Sequence, residues 1–214
     1  MEERKEATPD PLWPRAGEPL GLVSSSPRRA ALLRQAGVSF VVIPPSHGDE
    51  TPSGAPPERE AVRLAREKAL AARPEGGPRF LLAADTLVAG EGGCFGKPAD
   101  PKEAARMLLA LSGRWHRVVT GVCIVDRARG VDETGVEETR VLFRELGPEE
   151  VAAYVSTGEP FDKAGAYGIQ GRGALLVERI DGCYANVVGL PLVRTRAVFR
   201  TLLGMGRTGG GERE

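Results

Sequence analysis

Cysteine, histidine and amide side chains are scarce in this chain. Its three cysteines, Cys94, Cys123 and Cys183, are far apart, odd in number and without a C-x-x-C spacing. Neither a disulfide framework nor a cysteine-held zinc site is indicated, and reduced thiols fit best. The two histidines, His47 and His116, read as ordinary polar residues rather than metal ligands. Charge of either sign is not in excess, with 29 basic and 29 acidic residues. That balance leaves no electrostatic footprint for general nucleic-acid or membrane-surface binding. No apolar run reaches the roughly 18 residues of a membrane span, and Met1-Glu2-Glu3-Arg4-Lys5-Glu6 lacks the apolar stretch of a signal peptide. A cytoplasmic protein is expected, with no nucleic-acid or membrane partner. Asn186 is the single asparagine, while most of the basic residues are arginine. This bias suits a thermophile and a GC-rich genome equally.

What the chain does have is enough ordinary material for a core. It has 214 residues, 41% hydrophobic and 27% charged, which allows one large domain or two small ones. Residues 1–19, rich in proline and alternating in charge, read as a flexible extension, and residues 204–214 as a flexible tail. Residues 20–203 between them hold no clean linker and no repeat. A short strand at Leu20–Val23 leads into a helix ending near Gln35, with Ser26 as N-cap, Pro27 at the first helical position and Gly37 as the stop. A strand over Ser39–Ile43 follows, and then a helix from about Glu58 to Ala72, whose Ala61, Leu64, Ala65 and Ala69 share a face. Asp100-Pro101-Lys102-Glu103 opens a further helix running to about Leu111. Strands are predicted at Arg117–Asp126, Glu137–Arg144 and Ala174–Ile180, and helices from Pro148 to Ser156 and from Leu192 to Leu203. The alternation of strands and helices predicts an α/β fold, a mixed sheet in two lobes around a cleft.

The chemistry centres on Asp85. It sits in the apolar run Phe80-Leu81-Leu82-Ala83-Ala84-Asp85-Thr86-Leu87-Val88, bounded by Gly and Pro, which reads as a buried strand. A carboxylate there loses hydration and needs a cation, a metal or donors, unless it merely caps a turn at the strand end. Lys68, on the Leu64/Ala65 face of its helix, can send its ammonium into a cleft, and Lys97 and Lys163 lie on Gly-rich loops. Ser24-Ser25-Ser26-Pro27-Arg28-Arg29 joins a strand end to a helix start. Its free N–H groups make an anion site that Arg28 can reinforce, or else a plain cap with a solvated arginine pair. Asp49-Glu50 puts two carboxylates on a loop, suited to Mg²⁺ or Mn²⁺ or simply solvated. In Asp162-Lys163-Ala164-Gly165-Ala166-Tyr167-Gly168-Ile169-Gln170-Gly171, the glycines keep the backbone close to whatever binds, and Gln170 both donates and accepts.

Taken together these segments, with Gly96-Lys97-Pro98, Leu111 to His116, Thr120-Gly121-Val122, Thr157 to Pro160 and Asn186 to Pro191, resemble the Maf family of nucleoside triphosphate pyrophosphatases. The matches run in order from about Leu20 to Leu203. The resemblance implies a mixed α/β fold related to the inosine-triphosphatase type, often a homodimer, and a divalent metal cation, Mg²⁺ or Mn²⁺. It implies hydrolysis between the α and β phosphates of a nucleoside triphosphate. It also implies that Asp85 is the proton acceptor, that Asp85 and Glu50 hold the metal, and that Ser24, Ser26, Arg28, Lys68, Lys97 and Lys163 face the phosphates. Arg28, Thr86 and Gln170 match the branch acting on dTTP and UTP. Uracil and thymine offer an acceptor O4 beside an N3–H donor, which a fixed Gln170 amide can meet; a flipped amide would suit cytosine. Cys183 stands where serine is usual in the family. Two other functions stay open on sequence: a non-catalytic nucleotide-binding regulator of septum formation and cell division, and the same hydrolysis on modified nucleotides.

Overall fold

A computed structural model describes residues 12–14, 17–46 and 53–205. Seven strands, β1 (Leu20–Val23), β2 (Phe40–Ile43), β3 (Phe80–Gly90), β4 (Gly93–Phe95), β5 (Trp115–Asp126), β6 (Val131–Phe143) and β7 (Val177–Asp181), form one mixed sheet. The order is β2-β1-β3-β5-β6-β7, with β4 also paired to β3. β1 runs parallel to β2 and β3, and every other pair is antiparallel. There are six α-helices among the described residues: α1 (Pro27–Gln35), α2 (Pro57–Ala71), α3 (Pro101–Leu111), α4 (Pro148–Val155), α5 (Tyr184–Val188) and α6 (Leu192–Leu202). Among the described residues no helix is long and apolar enough to cross a membrane.

The two-residue period of a strand explains where the apolar side chains go. On β3, Phe80, Leu82 and Ala84 join Leu22, Leu33, Ile124 and Phe199 in one core, while Leu81 and Ala83 join Ala65, Ala69 and Cys123 in another beneath α2. At the far end Val88 belongs to a third cluster with Leu108, Val141, Phe143 and Tyr167. One sheet thus carries separate cores at its two ends, the two lobes that the sequence predicts. Trp13, within the segment read as an extension, packs its ring against Phe199.

Several expected boundaries move. β5 and β6 make a longer hairpin than predicted, because polar residues such as Asp132 and Glu133 remain in register with Val125 and Ile124. The strand expected at Ala174 begins only at Val177; Gly171–Leu175 coils into a 3₁₀ turn whose first N–H groups find a carboxylate rather than a neighbouring strand. α5, at five residues, is too short to show a helical period in sequence.

The feature that positions a site is an interruption in the sheet. β1 accompanies β3 only as far as the Val23–Ala83 pair, and β4 joins β3 only from the Val88–Phe95 pair, while β5 borders β3 on its other side from Phe80 to Ala89. Between Ala83 and Val88, one side of the central strand has no strand beside it. Asp85 and Thr86 lie in that gap, just beyond the carboxyl end of the parallel strand β1, a place where α/β sheets receive ligands.

Candidate active site

The gap opens into a cleft of about 740 Å³ lined by residues from β1, α1, α2, β3 and the segment 162–170. Asp85 is only 9% exposed and takes an ion pair from the Lys68 ammonium across the cleft floor. The pairing follows from how closely α2 lies on the sheet. Gly121 stands opposite Asp85 in register, and a Cβ there would come within 2.2 Å of the Ala61 carbonyl oxygen on α2. The missing side chain lets the helix backbone settle onto the sheet, and Lys68, two turns beyond Ala61 on the same face, reaches the carboxylate.

Asp85 and Thr86 point to opposite faces of β3, so Thr86 meets a different set of partners. Arg29 donates through Nη2 to Thr86 Oγ1 at 3.2 Å, through Nε to the Gly189 carbonyl at 2.8 Å and through Nη1 to Ser24 Oγ at 3.4 Å. Thr86 and Thr120 hydroxyls are 2.9 Å apart, and Thr120 donates to the Asn186 carbonyl at 3.2 Å. The direction of this chain is fixed: Thr120 has given its proton to Asn186, so Thr86 gives its own to Thr120 and can offer a ligand only a lone pair. Burial lowers the pKa of Arg29; the Asp85 charge works in the opposite direction, and the like charge of Arg28 adds to the lowering.

The opposite wall is irregular. Three 3₁₀ turns, Glu159–Asp162, Ala164–Ala166 and Gly171–Leu175, carry it past the cleft. Gly165 has φ +70°, and a Cβ there would meet Val88 at 2.9 Å, so glycine is required both by conformation and by proximity. Its N–H bonds the Gly96 carbonyl at 3.0 Å, fastening this wall to the loop that carries Lys97. Lys163 donates to the Glu159 carbonyl and to Asp162, whose other oxygen accepts from Arg28 Nη1 at 2.7 Å. His116 Nε2 and the Tyr167 hydroxyl are 2.7 Å apart, edge-on to Phe143 as well, which ties the wall to β5. Burial pulls the His116 pKa from 6.5 to about 4.

Of the residues singled out in the sequence, Ser24, Ser26, Arg28, Lys68, Asp85, Thr86, Lys97, Lys163 and Gln170 all line this one cleft. Glu50, with its neighbours His47 and Asp49, falls outside the described residues. Ser26 begins α1 as expected, yet its side chain makes no cap hydrogen bond; its N–H instead donates to Ser24 Oγ at 3.1 Å. His116 is a core residue, 2% exposed. Sequence reasoning passed over Arg29 and Asp162. Consecutive residues on a helix point about 100° apart, so of Arg28 and Arg29 one had to turn toward the sheet, a signal that was present.

Among the described residues no three carboxylate, imidazole or thiol groups gather into a metal cage. A hard divalent cation needs no such cage: one carboxylate together with ligand phosphates and water is its usual setting. Asp85, in a cleft rimmed by cations, fits that donor set.

Residues 19–202 match the family model described as Maf-like protein. Among curated proteins, a "dTTP/UTP pyrophosphatase" of Geotalea uraniireducens is 50% identical over 181 residues, spanning 85% of this chain and 93% of the relative. One of Moorella thermoacetica with the same name is 50% identical over 182 residues, spanning 84% and 93%. A third, of Caldicellulosiruptor bescii, is 46% identical over 185 residues, spanning 85% and 93%.

Proposed function

The chain belongs to the Maf family, and from that premise we propose that it is a hydrolase cleaving dTTP and UTP between the α and β phosphates, releasing the nucleoside monophosphate and diphosphate. The observation that carries this reading is the Asp85–Lys68 pair at the floor of a cleft whose rim holds Arg28, Lys97 and Lys163. A buried carboxylate suits proton abstraction, and cations around it suit a triphosphate.

In this reading a water molecule gives its proton to the Asp85 oxygen that Lys68 does not engage. Its oxygen bonds to phosphorus as the bridging P–O bond breaks, and the diphosphate leaves with that bridging oxygen. Lys68 holds the carboxylate in one orientation, which aims the base. Ser24, Ser26 and the start of α1 receive phosphate oxygens, with Arg28, Lys97 and Lys163 offsetting their charge. Arg28 and Lys163 both bond Asp162, which holds these two cations together at the cleft rim. A divalent cation, Mg²⁺ or Mn²⁺, held by Asp85 and in this reading by Glu50, would neutralise phosphate charge and orient the water. Gln170 and Thr86 face the base: Gln170 supplies a donor and an acceptor, Thr86 an acceptor alone. A cytoplasmic homodimer belongs to the same proposal.

The test is diphosphate release from a panel of nucleoside triphosphates with Mg²⁺, with Mn²⁺ and with chelator. Metal-dependent cleavage of dTTP and UTP above CTP and 7-methyl-GTP is expected. Binding without release from any nucleotide would overturn the enzymatic reading in favour of a regulatory binder.

A further inference from the structure

Gln170 can discriminate between bases only if its amide is aimed, yet its side chain is exposed and makes no hydrogen bond among the described residues. What the fold sets is the position of its backbone, from which the side chain reaches into the cleft. That backbone is pinned on both sides. On one side the Gly168 N–H donates to the Tyr154 hydroxyl at 3.4 Å. On the other, the Arg172 N–H donates to Glu159 Oε1 at 3.1 Å and the Gly173 N–H to Glu159 Oε2 at 3.3 Å. Glu159 is itself held, since its N–H bonds Thr157 Oγ1 at 3.1 Å, and Tyr154 lies beside its carboxylate. The wall also has little slack: a Cβ on Gly173 would fall 2.1 Å from the Gly168 carbonyl oxygen, and one on Gly171 3.0 Å from Glu159 Oε1.

We propose that Glu159 is a positioning residue for base selection, its carboxylate fixing the turn that presents Gln170 to the base. This rests on the function proposed above. A charged acceptor taking two N–H groups holds an irregular segment about twice as strongly per bond as a neutral acceptor would. The same residue holds Lys163, but through its main-chain carbonyl, so a change of side chain leaves that contact in place. Asp85 and Lys68 stand on β3 and α2, outside the wall that Glu159 organises. Loss of the carboxylate should therefore appear in nucleotide affinity and base preference, and not in turnover.

Glu159→Gln keeps the length of the side chain but turns an NH₂ donor toward one of the two N–H donors. With UTP and CTP as substrates, kcat for UTP is expected to stay within about twofold, KM to rise about tenfold and the UTP-over-CTP preference to fall about fivefold, as losing one charged hydrogen bond implies. In a Gln170→Ala background, adding Glu159→Gln should change preference no further. Tyr154→Phe, which retains the packing and removes the other pin, should lower preference about two- to threefold and serves if Glu159→Gln does not fold. A fall in kcat with unchanged KM and preference would overturn the proposal, as would multiplicative effects in the double variant or a lower melting temperature with kinetics intact. Equilibrium binding of UMP and CMP gives the same comparison without turnover. A wild type that binds and cleaves both alike would overturn this role together with that of Gln170. A wild type that cleaves nothing but binds UMP better than CMP would fail the hydrolase alone.

Discussion

The two walls of the cleft are built by different means. One is regular: Asp85 and Thr86 on the central strand, Lys68 on a fifteen-residue helix, and main-chain hydrogen bonds that the sheet itself supplies. The other is a run of short turns, with Gln170 exposed at its edge and side chains such as Glu159 and His116 standing in for a ladder. Under the proposed function the division matches the chemistry. Proton abstraction tolerates little displacement of the base and is placed on the stiffest element available, whereas base recognition varies with substrate and is placed where single side chains set the geometry.

The largest effect should come from the regular wall. Asp85→Asn keeps the shape and removes the proton acceptor, and kcat for UTP is expected to fall by about a thousandfold. Near-normal turnover would remove Asp85 from the role of base and weaken the contrast between the walls. Gly121→Ala attacks the same wall from behind. Its new methyl group meets the α2 backbone, so a loss of roughly 3 kcal/mol in chemical denaturation is expected, with activity falling as Lys68 is pushed back.

The irregular wall should reveal itself through pH. The folded protein holds the His116 pKa at about 4 through burial, below its ordinary 6.5. Between those values the unfolded chain binds a proton that the folded chain refuses. Stability is therefore full above about pH 6.5 and falls as the pH drops toward 4, by up to about 3 kcal/mol. Urea denaturation of wild type and His116→Gln at pH 7.5 and pH 4.5 measures the difference; equal pH slopes for the two proteins would exclude it. The smallest effect is the most specific: Gln170→Glu should lower kcat/KM for UTP about tenfold by removing the donor that meets O4, and leave stability alone.

The regular wall was also the more legible in sequence. Bounded apolar runs announced β1 and β3, and Asp100-Pro101-Lys102-Glu103 announced α3, where Asp100 accepts from the Glu103 N–H at 2.8 Å as a cap should. Asp85 stood out because a charge in such a run needs a partner, and Lys68 is that partner. The gap beside β3 was illegible, since it depends on where β1 ends and β4 begins, and neither boundary is written near Asp85. Ala174 and Leu175, the end of the Gly171–Leu175 turn, were read as strand because what bends the turn is Glu159, a residue outside the segment. Arg28 and Arg29 looked alike as letters, and only the rotation of the helix separates the one that faces Asp162 from the one that faces Thr86.

The placement of β3 has a consequence for how the protein is made. Apart from the local β4, its neighbours are remote in the chain: Gly21 must find Leu81 on one side, and Gly121 must find Asp85 on the other. Pairings between distant segments form late, after helices and local hairpins, because long loops must close before any contact rewards them. In a refolding chain the helical signal should therefore recover first, and hydrolysis only when the last of these distant strands has docked.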